Sequence, residues 1–358
     1  MMEWLEYMNS DLTGPMADLR RANGREEPWN VRYIGIGNEN WGCGGEMRPE
    51  YFADLYRKFS VYARQFGGPD IIRIAGGGYG AYYDWTDVVM ESAAEHMEAI
   101  SIHYYTLPTG DWGDKGPATG FGDSLYFGSI RNAKMMDTHI TRHIEIMDRH
   151  DPEGRIALHV AEWGVWTNPE PGTIPGFLHQ QNTMRDALVA SLHFDIFHNH
   201  AERVRSANIA QMVNVLQAVI LTDGPRMLLT PTYHVFNMYK VHQNATHIPA
   251  TIQSESFSFR DESLPAITGT ASTKDGKVNI GVSNLHPSQT IDLDVDISGG
   301  NLTRVISATI LTAPAFNSYN TFDNPNVVIP QPFTAYTMAD GIMTVTMPPY
   351  SIVTFQME

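Results

Sequence analysis

The chain has 358 residues, of which 42% are hydrophobic and 18% charged, a composition that predicts a globular fold of one large or two ordinary domains. Its 40 acidic residues outnumber 24 basic ones, which argues against nucleic acid and anionic membrane surfaces as partners. The single cysteine, Cys43, excludes an internal disulfide and a cysteine-rich zinc site. No apolar run is long enough for a membrane span and no targeting segment is visible. Because we expect the N-terminus to be truncated, the sequence leaves the location open and only favours an intracellular one.

Strand-like and helix-like segments alternate through the first two thirds of the chain. Short apolar runs predict strands, and the amphipathic stretches between them predict helices. The predicted strands are residues 31–37, 71–75, 99–103, 156–161 and 209–216, and the predicted helices are residues 48–66, 85–96, 125–150, 181–202 and 231–242. Because such alternation is typical of a parallel sheet, we predict an α/β domain over residues 1–244.

The hydrophobic pattern of the sequence changes near Ala245. Short alternating runs follow, separated by turn dipeptides such as Asp275-Gly276 and Pro348-Pro349, and all seven Trp residues lie before residue 167. This spacing is typical of an all-β module. We predict a β-sandwich, jelly-roll-like, over residues 245–358.

Two segments share one pattern, in which an apolar strand is followed at its carboxyl end by Glu and then Trp. Glu39 precedes Trp41 in the first segment, and Glu162 precedes Trp163 in the second. In parallel α/β folds the carboxyl ends of the strands form the active-site face, so glutamates from different strands can converge there. A pair of carboxylates beside Trp rings is what glycoside hydrolysis needs, since one protonates the leaving oxygen and the other attacks or stabilises the anomeric carbon.

Two other patterns do not support a function. The glycine run at residues 76–80 follows a strand, but Tyr83 stands where a dinucleotide fingerprint needs its third glycine, so we interpret the run as a flexible loop. His139 and His143 lie four residues apart on a predicted helix, but Ile140 takes the position of the glutamate in a zinc peptidase motif. We interpret these histidines as a packed or solvated helix face.

Three ordered motifs strongly resemble the α-L-arabinofuranosidases of glycoside hydrolase family 51. They are GNENWGCGGEMRPEY at residues 37–51, EWGVW at residues 162–166 and ANIAQMVNV at residues 207–215. The resemblance implies a (β/α)8-type barrel followed by a β-sandwich, with Glu39 as general acid/base and Glu162 as nucleophile of a retaining, exo-acting enzyme. It also implies that the substrate carries terminal α-L-arabinofuranosyl groups, as arabinan, arabinoxylan and their oligosaccharides do.

The same resemblance suggests further substrate-binding residues. Asn38 would hold the sugar 2-hydroxyl, and His103 and Tyr105 would approach the sugar and the nucleophile. A phenol hydrogen-bonded to Glu162 would favour its ionised form. Trp166 could form the floor of the pocket and Gln211 could donate to a sugar hydroxyl. No metal or organic cofactor is required, and family resemblance together with an open sheet edge favours a homo-oligomer, a trimer or a hexamer.

The chain departs from the family in the number of its strand–helix units. A complete barrel has eight units, and this sequence supplies about five before the β module begins. We expect the missing units to be supplied by another chain or copy or to be absent from a fragment, and a rearranged fold with a repaired edge is a third, less favoured explanation. Two alternatives therefore stay open: another retaining glycosidase of the same clan, such as an endo-glucanase or xylanase, and a non-catalytic fragment or sugar-binding remnant.

Overall fold

The computed structural model describes residues 1–296, 304–339 and 341–358. The described chain divides into two compact units that interleave along the sequence. The first comprises Met1–Tyr104, Thr138–Ala161 and Glu202–Ala207, and the second comprises Tyr105–Asp137, Glu162–Ala201 and Asn208–Glu358. None of the described helices is both long and apolar enough to cross a bilayer. The predicted domain boundary between residues 244 and 245 stays a prediction.

A five-stranded sheet forms the α/β part of the described residues, with its strands in sequence order. Its first three strands pair in parallel. The strands are β1 (Tyr33–Ile36), β2 (Ile72–Ala75), β3 (Ala99–Thr106), β4 (Ala157–Val165) and β5 (Val204–Ile209). This arrangement confirms a partial β/α barrel.

Helices precede, connect and follow these strands. They are α1 (Met2–Asn9), α2 (Pro15–Ala22), α3 (Pro49–Ser60), α4 (Tyr83–Ala93), α5 (Asp123–His150), α6 (Met184–Asn199) and α7 (Pro231–Tyr239), with 3₁₀ turns at Ala94–His96, Pro175–Phe177 and Lys240–His242. Helices α3 and α4 pack through Phe52 and Trp85, whose rings lie 5.3 Å apart. Trp85 is fully buried, so this contact belongs to the core beside the sheet.

Helix α2 lies outside the predicted elements. It has only eight residues, too few for apolar periodicity to stand out, and Pro15 occupies its first turn. The fully buried Arg20 donates to the carbonyl oxygens of Tyr7, Ser10 and Glu26. These bonds stabilise α2 against the end of α1.

The prediction of the fifth strand over residues 209–216 was wrong. Strand β5 ends at Ile209, and the apolar residues that follow form a turn in which Asn214 has a φ of 62°. Arg203, just before β5, donates to Asp151 at 2.8 Å and to the Ile156 carbonyl at 2.9 Å. These long-range contacts fix the start of the strand, and a local apolar pattern does not reveal them.

The C-terminal part is rich in antiparallel strands. They are β6 (Ile220–Asp223), β7 (Arg226–Leu229), β8 (Thr246–Ile248), β9 (Ser256–Phe259), β10 (Glu262–Pro265), β11 (Ile267–Lys274), β12 (Lys277–Asn284), β13 (Ile291–Asp296), β14 (Val305–Leu311), β15 (Gln331–Pro332), β16 (Tyr336–Ala339), β17 (Ile342–Met347) and β18 (Ser351–Met357).

Two sheets dominate this part among the described residues. One has the order β15-β14-β18-β12-β11-β8 and the other has the order β13-β17-β16, while β6 pairs with β7 and β9 with β10. The rings of Tyr336 in β16 and Phe355 in β18 meet at 5.6 Å, and Asn284 at the end of β12 donates to the Met347 carbonyl at 3.1 Å. The β-rich character predicted for this part is confirmed.

Candidate functional site

Glu39 lies in a tight turn just after β1. Its φ is 46°, a left-handed conformation that is uncommon outside glycine. The Glu39 carbonyl accepts hydrogen bonds from the amides of Gly42 at 2.8 Å and Gly44 at 2.9 Å. A Cβ atom at Gly44 would lie 1.9 Å from the Asn38 carbonyl oxygen, so only glycine fits there. The glycine-rich sequence thus folds the loop closely around Glu39.

Two donors bind the Glu39 side chain, which is 19% exposed. His103 Nδ1 lies 2.9 Å from Oε1, and the Cys43 thiol donates to Oε2 at 3.1 Å. The hydrogen bond from His103 lowers the pKa of Glu39 most and the Cys43 thiol adds to this effect, while burial opposes them. The net direction is downward, so the neighbours favour the carboxylate form.

The glycine run after β2 positions His103. Gly78 accepts the His103 amide at 3.1 Å, and the Gly80 amide donates to the His103 carbonyl at 2.8 Å. A Cβ atom at Gly77 would lie 1.5 Å from the Ser101 carbonyl oxygen, so Gly77 must lack a side chain for the run to approach β3. The run is a loop, as interpreted from the sequence, and Gly78 and Gly80 bind it to the strand that carries His103.

Glu162 lies on β4 near the carboxyl end of the strand. The Tyr105 hydroxyl donates to Glu162 Oε2 at 2.6 Å, and Tyr105 is only 4% exposed. The Tyr105 ring meets Trp166 edge-on at 4.8 Å. The structure thus brings together three of the predicted site residues in the second compact unit.

The two tryptophans that follow Glu162 have different environments. Trp163 is fully buried and packs edge-on against Phe194 and Phe197. Trp166 lies beyond the strand, where Trp112 contacts it edge-on at 5.3 Å. Trp163 therefore belongs to the core and Trp166 to the site.

Asn38 and Gln211 are both exposed. Across residues 1–296, 304–339 and 341–358, neither side chain has a hydrogen bond. The main chain of Gln211 is held, because its amide donates to the Val215 carbonyl at 3.1 Å. Both amide side chains are therefore open to a ligand.

His139 and His143, which we interpreted as a helix face, are indeed packed in the first unit. His143 is fully buried, with Nδ1 2.9 Å from the Thr86 hydroxyl and Nε2 2.8 Å from the Gly80 carbonyl. The His139 Nδ1 atom lies 3.0 Å from the Tyr83 hydroxyl.

Sequence reasoning missed a buried glutamine that holds the end of β4. Gln217 Oε1 accepts the Val165 amide at 2.6 Å, and its Nε2 donates to the Asp186 carbonyl at 2.8 Å and the Thr232 hydroxyl at 3.1 Å. Gln217 is fully buried, whereas Gln211 in the same motif region is exposed. No local signal distinguishes the two glutamines.

Three of these side chains, Glu39, His103 and Glu162, are also of types that bind divalent metals. Glu39 and His103 are hydrogen-bonded to each other, and Glu162 accepts from Tyr105. The hydrogen-bond partners of the two carboxylates therefore differ, an imidazole and a thiol for Glu39 and a phenol for Glu162.

Glutamates at the ends of strands in a parallel β/α sheet, accompanied by tyrosine, histidine and tryptophan, define a glycoside hydrolase. Comparison with known proteins specifies the family. Residues 1–110 match the family described as Alpha-L-arabinofuranosidase 1 domain, and residues 161–351 match the Alpha-L-arabinofuranosidase C-terminal domain.

Individual proteins that are similar to this chain are also named arabinofuranosidases. An intracellular exo-α-L-arabinofuranosidase of Bacteroides ovatus is 46% identical over 100% of this chain and 70% of its own length. The crystal structure of the family 51 arabinofuranosidase from Xanthomonas axonopodis pv. citri superposes with a TM-score of 0.96 at 47% identity, covering 100% of this chain and 72% of that one. A family 51 α-L-arabinofuranosidase from Bifidobacterium longum gives 0.85 at 26% identity, covering 100% and 73%.

The chain belongs to glycoside hydrolase family 51, and it is an exo-acting α-L-arabinofuranosidase.

Proposed function

We propose that the enzyme removes terminal, non-reducing α-L-arabinofuranosyl groups from arabinan, arabinoxylan or their oligosaccharides by a retaining mechanism. The observation that carries this proposal is the 2.6 Å hydrogen bond from the buried Tyr105 hydroxyl to Glu162. The phenol donor holds the carboxylate in place, and a carboxylate oxygen is the nucleophile. Glu162 would therefore attack the anomeric carbon.

Glu39 supplies the proton in this proposal. In the first step Glu39 donates it to the glycosidic oxygen, the bond from that oxygen to the anomeric carbon breaks, and Glu162 forms a covalent glycosyl ester. In the second step the Glu39 carboxylate takes a proton from water, the water oxygen bonds to the anomeric carbon, and the ester to Glu162 breaks. The two inversions retain the anomeric configuration.

The pairing of Glu39 with His103 suits both steps. Their 2.9 Å contact lets one proton lie on the carboxyl oxygen or on Nδ1. With the proton on oxygen the pair is the acid of the first step, and once that proton has passed to the leaving oxygen Glu39 is the carboxylate base of the second step. The Cys43 thiol supports the carboxylate state.

The remaining candidates bind the sugar. Asn38 holds the 2-hydroxyl, where a hydrogen bond strengthens as charge develops on the ring. Gln211 donates to a second hydroxyl, His103 also approaches the sugar, and Trp166 forms the floor beside Tyr105. Both exposed amides are free to make these bonds.

The wider organisation is part of the proposal. We assign catalysis to residues 1–244 and a jelly-roll-like sandwich to residues 245–358. An intracellular location is supported by the names of relatives from Bacteroides ovatus, Bifidobacterium longum and Streptomyces lividans, each described as intracellular. We also propose a homo-oligomer, a trimer or hexamer, in which the edges of the parallel sheet are covered.

Hydrolysis of three aryl glycosides tests the substrate and the mechanism together. We expect fast release from the α-L-arabinofuranoside and slow release from the β-xyloside and β-glucoside. NMR of the first-formed arabinose should show the α anomer, as retention requires. Fast release from the β-glucoside alone would reject the substrate assignment, and a first-formed β anomer would reject retention.

A further inference from the structure

The second compact unit contains a cavity whose lining residues have no part in the proposed mechanism. Its volume is about 450 Å³, within the range of small-molecule sites. It is bounded by helices α5 and α6, by the segment before β9 and by the start of β11. Five aliphatic side chains and one lysine form its main walls: Leu192, Ile252, Pro265, Ile267, Leu285 and Lys134.

The apolar side chains of this wall belong to the packed core. Leu192, Ile267 and Leu285 are each at most 5% exposed. Ile252 is 40% exposed at the mouth, although its Cδ1 approaches Gly269 of β11. A ligand that entered the cavity would bury apolar surface against these side chains, which favours binding.

Lys134 is the charged group of the cavity. It is half-buried on α5, and across residues 1–296, 304–339 and 341–358 it has no hydrogen bond or ion pair. Neighbouring charges on the same helix are engaged, because Arg131 pairs with Glu262 at 3.0 Å and Asp137 with His200 at 2.7 Å. Burial lowers the pKa of Lys134, and the negative charge of Asp137 raises it by a smaller amount. A desolvated ammonium without a partner is costly.

Two hydroxyl groups of the wall, those of Ser254 and Thr268, are already engaged. Ser254 donates to the Glu255 carbonyl at 3.0 Å and accepts the Ile267 amide at 3.3 Å. Thr268 donates to the buried Asp195 at 2.9 Å. Lys134 is the charged donor of this wall, beside the Ser256 hydroxyl and the Gln253 amide, and the complement of an ammonium is an anion.

We propose that this cavity binds a small monocarboxylate with a compact apolar body, such as an aromatic acid. The carboxylate pairs with Lys134 Nζ, and the apolar body packs against Leu192, Ile267 and Leu285. No residue of this wall belongs to the glutamate pair or its hydrogen-bond partners. The inference therefore stands independently of the catalytic assignment.

Calorimetric titration of the whole chain with 1-naphthoate tests the proposal, with the neutral 1-naphthalenemethanol as comparator. We expect one saturable site for the acid and affinity at least roughly tenfold weaker for the alcohol, because a hydrogen bond to a charged group is lost. Lys134→Met should weaken the binding of 1-naphthoate by the same factor, whereas Lys134→Arg should retain binding. Lys58→Met, which removes an exposed lysine of α3, is the matched control and should change nothing.

A labelling experiment on the unmutated chain gives a second readout. 1-Naphthoate should slow acetylation of Lys134 by N-hydroxysuccinimidyl acetate and leave Lys58 unaffected, as measured by peptide mass spectrometry. The proposal is overturned if 1-naphthoate shows no saturable binding, if Lys134→Met binds it as tightly as the parent chain, or if Lys134 is not protected.

Discussion

Glu39 and Glu162 have chemically different neighbours. Glu39 contacts an imidazole and a thiol, groups that can exchange or share a proton with it. Glu162 accepts from the phenol of Tyr105. The first environment suits a group that changes protonation during the reaction, and the second suits a carboxylate that is held in place to attack.

This difference predicts different behaviour of the two alanine variants. Glu39→Ala should lose most activity on arabino-oligosaccharides, whose sugar leaving group needs a proton, but much less in the glycosylation step with an activated aryl leaving group. Added azide should restore turnover, because it attacks the glycosyl-enzyme without a base. Glu162→Ala should lose several kcal/mol, about a thousandfold or more, on every substrate, since no covalent intermediate forms. Steady-state kinetics with and without azide measures both effects.

Glu50→Ala, on the exposed start of α3, controls for nonspecific effects of removing a carboxylate and should behave as the parent chain. Azide rescue of Glu162→Ala together with an inactive Glu39→Ala on aryl substrates would reverse the two roles.

Cys43 should tune the protonation of Glu39. Its thiol lowers the pKa of Glu39, so Cys43→Ala removes one of the groups that stabilise the anion. The pKa of Glu39 then rises, the acid form persists to higher pH, and the alkaline limb of the pH profile of kcat/KM should move upward. Initial rates on an aryl α-L-arabinofuranoside across the pH range measure this limb.

Cys43→Ser keeps a donor at the same position and should leave the alkaline limb near that of the parent chain. A purely structural role would instead lower the rate of both variants without moving the limb. A downward movement in Cys43→Ala would contradict the direction of the pKa effect.

At the scale of elements, the carboxyl end of β4 depends on a side chain from a distant loop. Gln217 joins the Val165 amide, three residues after Glu162, to α6 and α7 through the Asp186 carbonyl and the Thr232 hydroxyl. Gln180 adds a second clamp, accepting the Thr167 amide and donating to the Val165 carbonyl, both at 2.9 Å. These glutamines replace strand partners where β4 ends.

Gln217→Leu should therefore destabilise the chain. The substitution leaves the buried Val165 amide and Asp186 carbonyl without their partner, at a cost of about 2–4 kcal/mol in the free energy of unfolding. Urea denaturation followed by circular dichroism measures this loss. Gln211→Leu is the matched control, because this exposed glutamine makes no side-chain hydrogen bond among the described residues, and its denaturation midpoint should stay unchanged. Equal midpoints for Gln217→Leu and the parent chain would contradict the role of the clamp.

The local pattern predicts these elements only in part. An apolar run followed by Glu and Trp located both glutamates, because parallel strands present their carboxyl ends to one face. An apolar run alone placed the fifth strand at residues 209–216, whereas the strand ends at Ile209, since the bonds of Arg203 to Asp151 and Ile156 are not local. The Cys43 thiol reaches Glu39 only because the chain turns tightly after β1, and the Gln217 amide reaches Val165 only in the folded chain. The apolar pattern of the sequence shows neither contact.

Across the whole molecule, several histidines are buried as neutral rings. Burial lowers the pKa of His143, His193 and His198 to about 4, with His247 contributing at His198. The imidazole of His193 is fully buried and lies 3.1 Å from the Ala133 carbonyl. Because an unfolded chain restores a pKa of about 6.5, the unfolded state binds more protons than the native state between these values.

The free energy of unfolding should accordingly fall as the pH falls from about 6.5 to about 4, at up to about 1.4 kcal/mol per pH unit for each such histidine. Urea denaturation midpoints at a series of pH values in this window measure the slope. His193→Gln keeps a donor for the Ala133 carbonyl and removes one titrating ring. The pH dependence of its free energy of unfolding should therefore be shallower by the contribution of one proton. His96→Gln, at a histidine that is not buried, is the matched control and should retain the parent slope. A flat profile for the parent chain between about pH 6.5 and about pH 4.5 would show that these rings are protonated in the native state, contrary to their burial.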